Sequence, residues 1–216
     1  MDLSIRNEND SDFRLVEEVT REAFWNLYVP GCDEHYLVNV MRNHPDFIPE
    51  LDFIILRENR IIGNIMYTKS QVIDSNNSHN KLSTITFGPV SVLPDFQKQG
   101  VGSALIRYSL QKAAEFGYKT VIIEGHPHNY CRYGFRCAKD MGVSDSKGHF
   151  PYSLLVLELE KGYLANKRWR YIPSGAYEIN SGKAEEFDKM FTPKKKDYRY
   201  TQEEFSIASR ANLPDE

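Results

Sequence analysis

Val90-Ser91-Val92-Leu93-Pro94-Asp95-Phe96-Gln97-Lys98-Gln99-Gly100-Val101-Gly102-Ser103 is the stretch on which the fold turns. Val90 to Leu93 is an apolar, β-branched run stopped by Pro94, which predicts a strand. Past the loop, Val101, Leu105, Ile106, Leu110, Ala113 and Phe116 fall on about one half of a wheel turned ~100° per residue, with Arg107, Gln111 and Glu115 opposite. That spacing predicts an amphipathic helix, with Gly117 as its C-cap. Thr120-Val121-Ile122-Ile123 follows as an apolar strand. Strand, helix, strand in immediate succession implies a right-handed crossover between two parallel strands, hence an α/β fold. The first turn of the helix presents unpaired backbone N–H groups and the positive end of its dipole, an anion site in principle. Gly100 and Gly102 remove side chains where a phosphate would come close. A bare Gly-x-Gly is weak evidence, since most such pairs only form tight turns. The loop lacks the Gly-Lys-Ser/Thr ending of an NTP-binding loop, and Leu105 fills the third glycine position of the dinucleotide fingerprint, so both nucleotide readings fall.

Upstream, Leu3 to Arg6 reads as a first strand. Asn9 to Asp12 offer helix caps, followed by Phe13, Val16, Val19 and Ala23 at helical spacing. Tyr28 to Pro49, with a helix over Asp33 to Arg42, is a natural substrate-facing wall. Phe53 to Leu56 and Arg60 to Tyr67 predict a hairpin around Arg57-Glu58-Asn59, the second strand extending through Val72 and Ile73. Asp74 to Asn80 reads as a polar loop, and the strand begun at Leu82, Ile85 and Phe87 meets Gly88-Pro89 before continuing to Leu93. Pro89 cannot donate to a ladder and Gly88 favours a bulge, so pairing should break beside Val90 to Val92. By itself Gly-Pro would mean only an ordinary bend. Downstream lie a short helix or turn over Pro127 to Tyr133 and a late strand over Tyr152 to Leu159. After Glu160 the pattern weakens, but Trp169, Tyr171, Tyr177, Phe187, Phe191, Tyr198, Tyr200 and Phe205 recur. So many aromatics predict a tail packed on the core, with Ala211 to Glu216 frayed.

The chain has 216 residues, 41% hydrophobic and 26% charged, which suits one domain with a core plus an appendage and favours neither disorder nor a membrane class. A net charge of -3 argues against a nucleic-acid partner, which would call for a basic stripe. The run Lys194-Lys195-Lys196 reads as a solvated turn. No apolar run approaches the ~20 residues of a membrane span, and the first residues lack the pattern of a signal peptide. Cys32, Cys131 and Cys137 are too few and scattered for a disulfide framework, so the expectation is a reduced, cytoplasmic protein with no membrane partner.

The longer string around Gly100 resembles motif A of the GNAT superfamily of N-acetyltransferases, Gln/Arg-x-x-Gly-x-Gly/Ala, met by Gln97, Gly100 and Gly102. Tyr130-Cys131-Arg132-Tyr133-Gly134-Phe135 is similar to the family's Tyr-x-x-x-Gly-Phe, and Gly125 with Pro127 looks closest to the YhbS-like subgroup. The resemblance covers about Leu3 to Leu159 by element order and implies a GNAT-like acetyltransferase domain over 1-160; the tail lies outside it, and its aromatics predict 161-216 to be a C-terminal extension packed on that domain. The resemblance implies a mixed, twisted central sheet of about six or seven strands flanked by helices, with a bulged, splayed strand pair holding the cofactor. It further implies acetyl-CoA as acyl donor. Its pyrophosphate would lie on the amides of Gln97, Lys98, Gln99, Gly100, Val101, Gly102 and Ser103, with pantetheine alongside Val90, Ser91 and Val92. Many family members carry an Asn several residues before the motif Tyr; here His126-Pro127-His128-Asn129 stands there, and that contact is not carried over.

The reaction so implied is acetyl transfer to a primary amine, on a small molecule or a peptide, by direct attack on the thioester. It needs a neutral nucleophile, an oxyanion donor and a proton for the leaving thiolate. A backbone N–H near Val90 suits the second role. The resemblance points to Tyr130 for the third, and a phenol of pKa about 10 is protonated at neutral pH. Glu124, at the end of a parallel strand where ligands gather, is the first candidate base; Glu34 and Glu50 in the wall are alternatives, as is water. His126, His128 and Cys131 lack a fourth ligand, so no metal is expected. Cys131 and Cys137 read as packing residues. The rival reading is a non-catalytic CoA-binding or regulatory module of the same fold. Pairing of the aromatic tail with a second copy would make a homodimer, an arrangement the sequence leaves open.

Overall fold

Hairpins build most of the sheet, and one helical crossover reverses its sense. The computed structural model describes residues 3–165 and 167–214. In chain order the elements are β1 (Leu3–Asn7), α1 (Phe13–Phe24), α2 (Glu34–Met41), β2 (Phe53–Arg57), β3 (Arg60–Asp74), β4 (Asn77–Val92), α3 (Val101–Glu115), β5 (Thr120–Glu124), α4 (Pro127–Tyr130), β6 (Arg136–Cys137), β7 (Val143–Ser144), β8 (Leu154–Glu158), β9 (Trp169–Ile172), α5 (Ser181–Asp188) and α6 (Tyr200–Arg210). Strands follow the order β1-β2-β3-β4-β5-β8-β6, with β9 pairing β3 and β7. β4 and β5 are parallel through Ile85 beside Val121, whereas β1–β2, β2–β3 and β5–β8 are antiparallel. This is the mixed sheet the sequence predicts; the nine strands among the described residues exceed about six or seven because β6 and β7 are two-residue pieces.

The chain divides into two compact units. The first takes the chain through Tyr67, Gly88–Lys112 and Gly175–Glu203. A capping box closes the single turn Asp10–Asp12 that leads into α1: Asn9 Oδ1 accepts from Ser11 N, and Asp12 Oδ2 accepts from Asn9 N. Val16 and Val19 face inward, and α2 adds Leu37, Val38 and Met41 against Met66 and Ala176. Val101, Leu105, Ile106 and Leu110 bury the apolar side of α3, each contributing on the order of 2 kcal/mol of apolar transfer. Tyr67 Oη and Ser109 Oγ lie 2.8 Å apart, fixing α3 to β3.

The second unit takes Thr68–Phe87, Ala113–Ser174 and the chain from Glu204. Its core gathers Val72, Ile122, Val143, Leu154, Val156, Trp169 and Tyr171. Gly117 caps the crossover helix with φ +84, its N–H donating to Ala114 O and that of Tyr118 to Ala113 O. Phe116 sits in that closing turn and is exposed, contrary to the wheel.

Three further expectations change. The polar loop shrinks to the turn between Asp74 and Asn77, because the Asp74 carboxylate accepts from Asn76 N and Asn80 Nδ2 and lets β4 start early. Of the tail aromatics, Trp169, Tyr171 and Phe191 are buried, but Tyr198, Tyr200 and Phe205 are exposed. Ala211 to Pro214 do not fray: Tyr152 N donates to Ala211 O and Leu213 N to Phe150 O. The remainder of that segment, Asp215 and Glu216, lies outside the described residues, as do Met1 and Asp2, on which the signal-peptide expectation partly rests. No helix among the described residues is long and apolar enough to cross a membrane.

Candidate active site

In the first unit, β4 runs into the glycine loop. Leu93 N donates to Ile62 O, Phe96 N to Leu93 O and Gln97 N to Pro94 O, winding a single turn over Pro94–Phe96. Lys98 at φ +58 and Gly100 at φ +85 then reverse the chain, and Ala104 N donates to Gly100 O as the helix begins. The N–H groups of Val101, Gly102 and Ser103 thus belong to the helix's first turn. Gln97 Nε2 donates to Val92 O (2.9 Å) and Gln99 Nε2 to Asp95 O (2.7 Å), so both glutamine side chains brace the loop and leave its backbone to meet a ligand.

Gly100 is explained by its left-handed backbone. Gly102 is not: it has no positive φ, and a Cβ there would make ordinary contact, 3.5 Å from Val92 Cγ2. The protein itself leaves room for a side chain at 102, which fits a cradle for an outside group.

Along the strand, Val90 and Val92 are half-buried while Ser91 is fully buried. The Ser91 hydroxyl donates to Thr20 Oγ1, which in turn donates to Asn64 Oδ1, so this side chain is turned into the core. The Ser91 carbonyl lies where a Cβ on Gly63 would come within 2.5 Å of it, hence glycine at 63. Arg57 and Arg60 hold their guanidinium carbons 5.6 and 5.7 Å from the Phe96 ring. Read as part of a hairpin connection and as the start of the next strand, they were not singled out by the sequence; together they bring positive charge beside the loop.

In the second unit, β5 ends at Glu124. His126 Nδ1 accepts from His128 N, and Pro127 opens the short α4. Tyr130 closes it, half-buried, its ring 5.8 Å from Phe87 and 6.1 Å from Phe135 between centroids. Gly134 at φ +96 ends the turn that follows. Burial first, then the negative charge of Asp145, raises the Glu124 carboxyl above its usual range. The residue as a whole is solvent-accessible. Glu34, in the first unit, is pushed up to about 7, chiefly by burial, while its Oε2 accepts from Asp33 N. Glu50 is exposed. Cys131 is also exposed, which corrects its reading as a packing residue; Cys137 is partly buried.

A constellation the sequence did not reveal sits in the first unit. Cys32 Sγ is 3.4 Å from His35 Nδ1, and His35 Nε2 is 3.1 Å from Asp188 Oδ1, though the angle there leaves Nε2 without a well-formed hydrogen bond. The order thiol–imidazole–carboxylate suggests a nucleophile, but burial decides otherwise. It drives the Cys32 thiol far above its ordinary pKa and His35 down to about 4, so the thiol stays protonated and the imidazole neutral.

The model of the acetyltransferase (GNAT) family matches residues 15–135. The uncharacterized N-acetyltransferase YjhQ of Escherichia coli K12 is 33% identical over 136 residues, 61% of this chain and 69% of YjhQ. The uncharacterized N-acetyltransferase YhbS of the same strain is 23% identical over 131 residues, 61% of this chain and 62% of YhbS. Among solved structures, the E. coli GNAT family N-acetyltransferase YhbS in complex with CoA aligns with a TM-score of 0.69 at 19% identity, covering 82% of this chain and 92% of that one. A GNAT family acetyltransferase from Brucella melitensis in complex with acetyl-CoA aligns at 0.63 and 20%, covering 82% and 98%. At such identities the likeness is one of fold.

Proposed function

The chain belongs to the acetyltransferase (GNAT) family, and on that premise we propose that it transfers an acetyl group from acetyl-CoA to a primary amine by direct attack on the thioester. The observation that carries this is Gly102: a glycine in the first helical turn, the end of a helix that attracts anions, where neither the backbone conformation nor the contacts of a Cβ require one. The relatives solved with CoA and acetyl-CoA support the same ligand class.

The amides from Gln97 to Ser103 hold the pyrophosphate, and Arg57, Arg60 and Lys98 lend positive charge. Val90 to Val92 offers backbone to the pantetheine and an N–H to the developing oxyanion. Acetyl-CoA, when bound, supplies the acetyl thioester. Glu124, its carboxyl raised, takes a proton from the attacking nitrogen, for which a pKa nearer neutrality is the better match. Tyr130 holds a proton at Oη for the sulfur as the C–S bond breaks. The amine itself is a small molecule or a peptide.

Gly102→Asp puts bulk and negative charge into the cradle. Calorimetric titration with acetyl-CoA should show affinity lost in a variant that melts like the wild type; retained affinity would refute the site. Tyr130→Phe keeps the ring, so acetyl-CoA affinity should hold while single-turnover transfer falls about 10²–10⁴-fold.

A further inference from the structure

Position 125 carries a glycine that its backbone does not demand, since it has no left-handed φ. What a side chain would meet there is Tyr130. An ideal Cβ on Gly125 would stand 2.4 Å from Tyr130 Cε2, 2.9 Å from Cδ2 and 3.4 Å from Cζ. Carbon–carbon contact is comfortable from about 3.5 Å, so the ring lies roughly 1 Å closer to this α-carbon than any side chain would allow. Gly125 is itself fixed: its N–H donates to Ser153 O (2.9 Å), next to the Glu124–Leu154 pair of β5 and β8. Phe87 and Phe135, 5.9 Å apart and edge-on to each other, stand 5.8 and 6.1 Å from the same ring and complete an aromatic cluster around it.

We infer that Gly125 is a positioning residue: it is the seat of the Tyr130 ring and thereby sets where the phenolic hydroxyl stands. The seat is a matter of packing alone. Its kinetic consequence rests on the reading of Tyr130 as proton donor. Gly125→Ala forces the ring back by about 1 Å, a displacement that can cost on the order of 10²-fold in rate.

Two cycles test it. The first uses thermal melts of wild type, Gly125→Ala, Tyr130→Ala and the double variant, with no substrate. Gly125→Ala should lower Tm in the wild-type background and cost nothing in the Tyr130→Ala background, because the three atoms nearest that Cβ all belong to Tyr130. Equal losses in both backgrounds overturn the seat. If Gly125→Ala alone fails to fold, the double variant should fold; its failure overturns the seat as well.

The second cycle follows single-turnover acetyl transfer to a primary amine drawn from a panel accepted by the wild type. Gly125→Ala should lose about 10²-fold at unchanged acetyl-CoA affinity, and lose little further in a Tyr130→Phe background, where no hydroxyl remains to misplace. Losses that multiply overturn the positioning role. A Tyr130→Phe enzyme at the wild-type rate overturns the proton-donor reading instead, and the melting cycle then decides the seat by itself.

Discussion

Asp188→Ala should be among the most damaging single substitutions outside the candidate site. Arg21, on α1, has a side chain only 4% exposed, and Asp188 takes its guanidinium in a fork: Nε to Oδ1 at 2.6 Å and Nη2 to Oδ2 at 3.3 Å. What else Arg21 has is Thr192 O at 3.1 Å and the rings of Trp25 and Phe191. Removing the carboxylate leaves a buried charge with one neutral acceptor, and breaking such a pair costs about 3–5 kcal/mol. Asp188 is itself 22% exposed, so water can reach part of the vacancy and the lower figure, about 3 kcal/mol, applies. For a chain of this length each kcal/mol moves Tm by about 2–4 °C, giving a fall of about 6–12 °C. The loss should persist in high salt, since buried pairs are little screened. Lys189–Glu186, at 2.5 Å but with both side chains at least 70% exposed, is the control, and its removal should leave Tm in place. Scanning calorimetry at low and high salt reads both. An Asp188→Ala variant melting within about 1 °C of wild type, or one whose deficit vanishes in salt, refutes the reasoning.

Asp145→Asn keeps the acceptor that Lys147 N and His149 N use but removes the charge that helps raise Glu124. A base must be deprotonated, so activity falls as pH drops through its pKa; that acid limb of kcat/KM should move to lower pH, and an unmoved limb speaks against Glu124. Asp52 is raised by burial and by the adjoining Glu8, so it adds stability at low pH that is lost as pH rises through its folded pKa. Asp52→Asn should therefore raise Tm by several degrees at pH 8 and flatten the alkaline decline; a lower Tm at pH 8 contradicts this. Arg57→Ala and Arg60→Ala should each weaken acetyl-CoA binding by about 0.5–1 kcal/mol at low ionic strength, converging on the wild type in high salt, as titration calorimetry would show. A loss insensitive to salt argues that the arginines act through packing.

Local periodicity made much of this protein legible. The apolar side of α3 is a record of 3.6-residue geometry, and the parallel pair it joins follows from the strand–helix–strand succession, so Val101, Leu105 and Val121 could be placed from the sequence. The glycine loop and the Tyr130 turn stood out for another reason, their resemblance to family motifs, since a bare Gly-x-Gly or a lone tyrosine says little by its spacing. Chain-distant pairing was not legible. Arg21 and Asp188 are 167 residues apart, and Cys32 and His35 reach their carboxylate only through the same α5 residue. Spacing says nothing about which charge a fold will bury beside which other. Nor can it say what a side chain costs where none exists. Sequence supplied glycine at 102 and 125 alike, but only packing separates them, since a Cβ at the first would make an ordinary contact with Val92 while the second supports an aromatic ring. Hydrogen-bonded periodicity is short-ranged and leaves its mark in sequence; burial, pKa and ring placement come from contacts between distant residues, which only the tertiary structure decides.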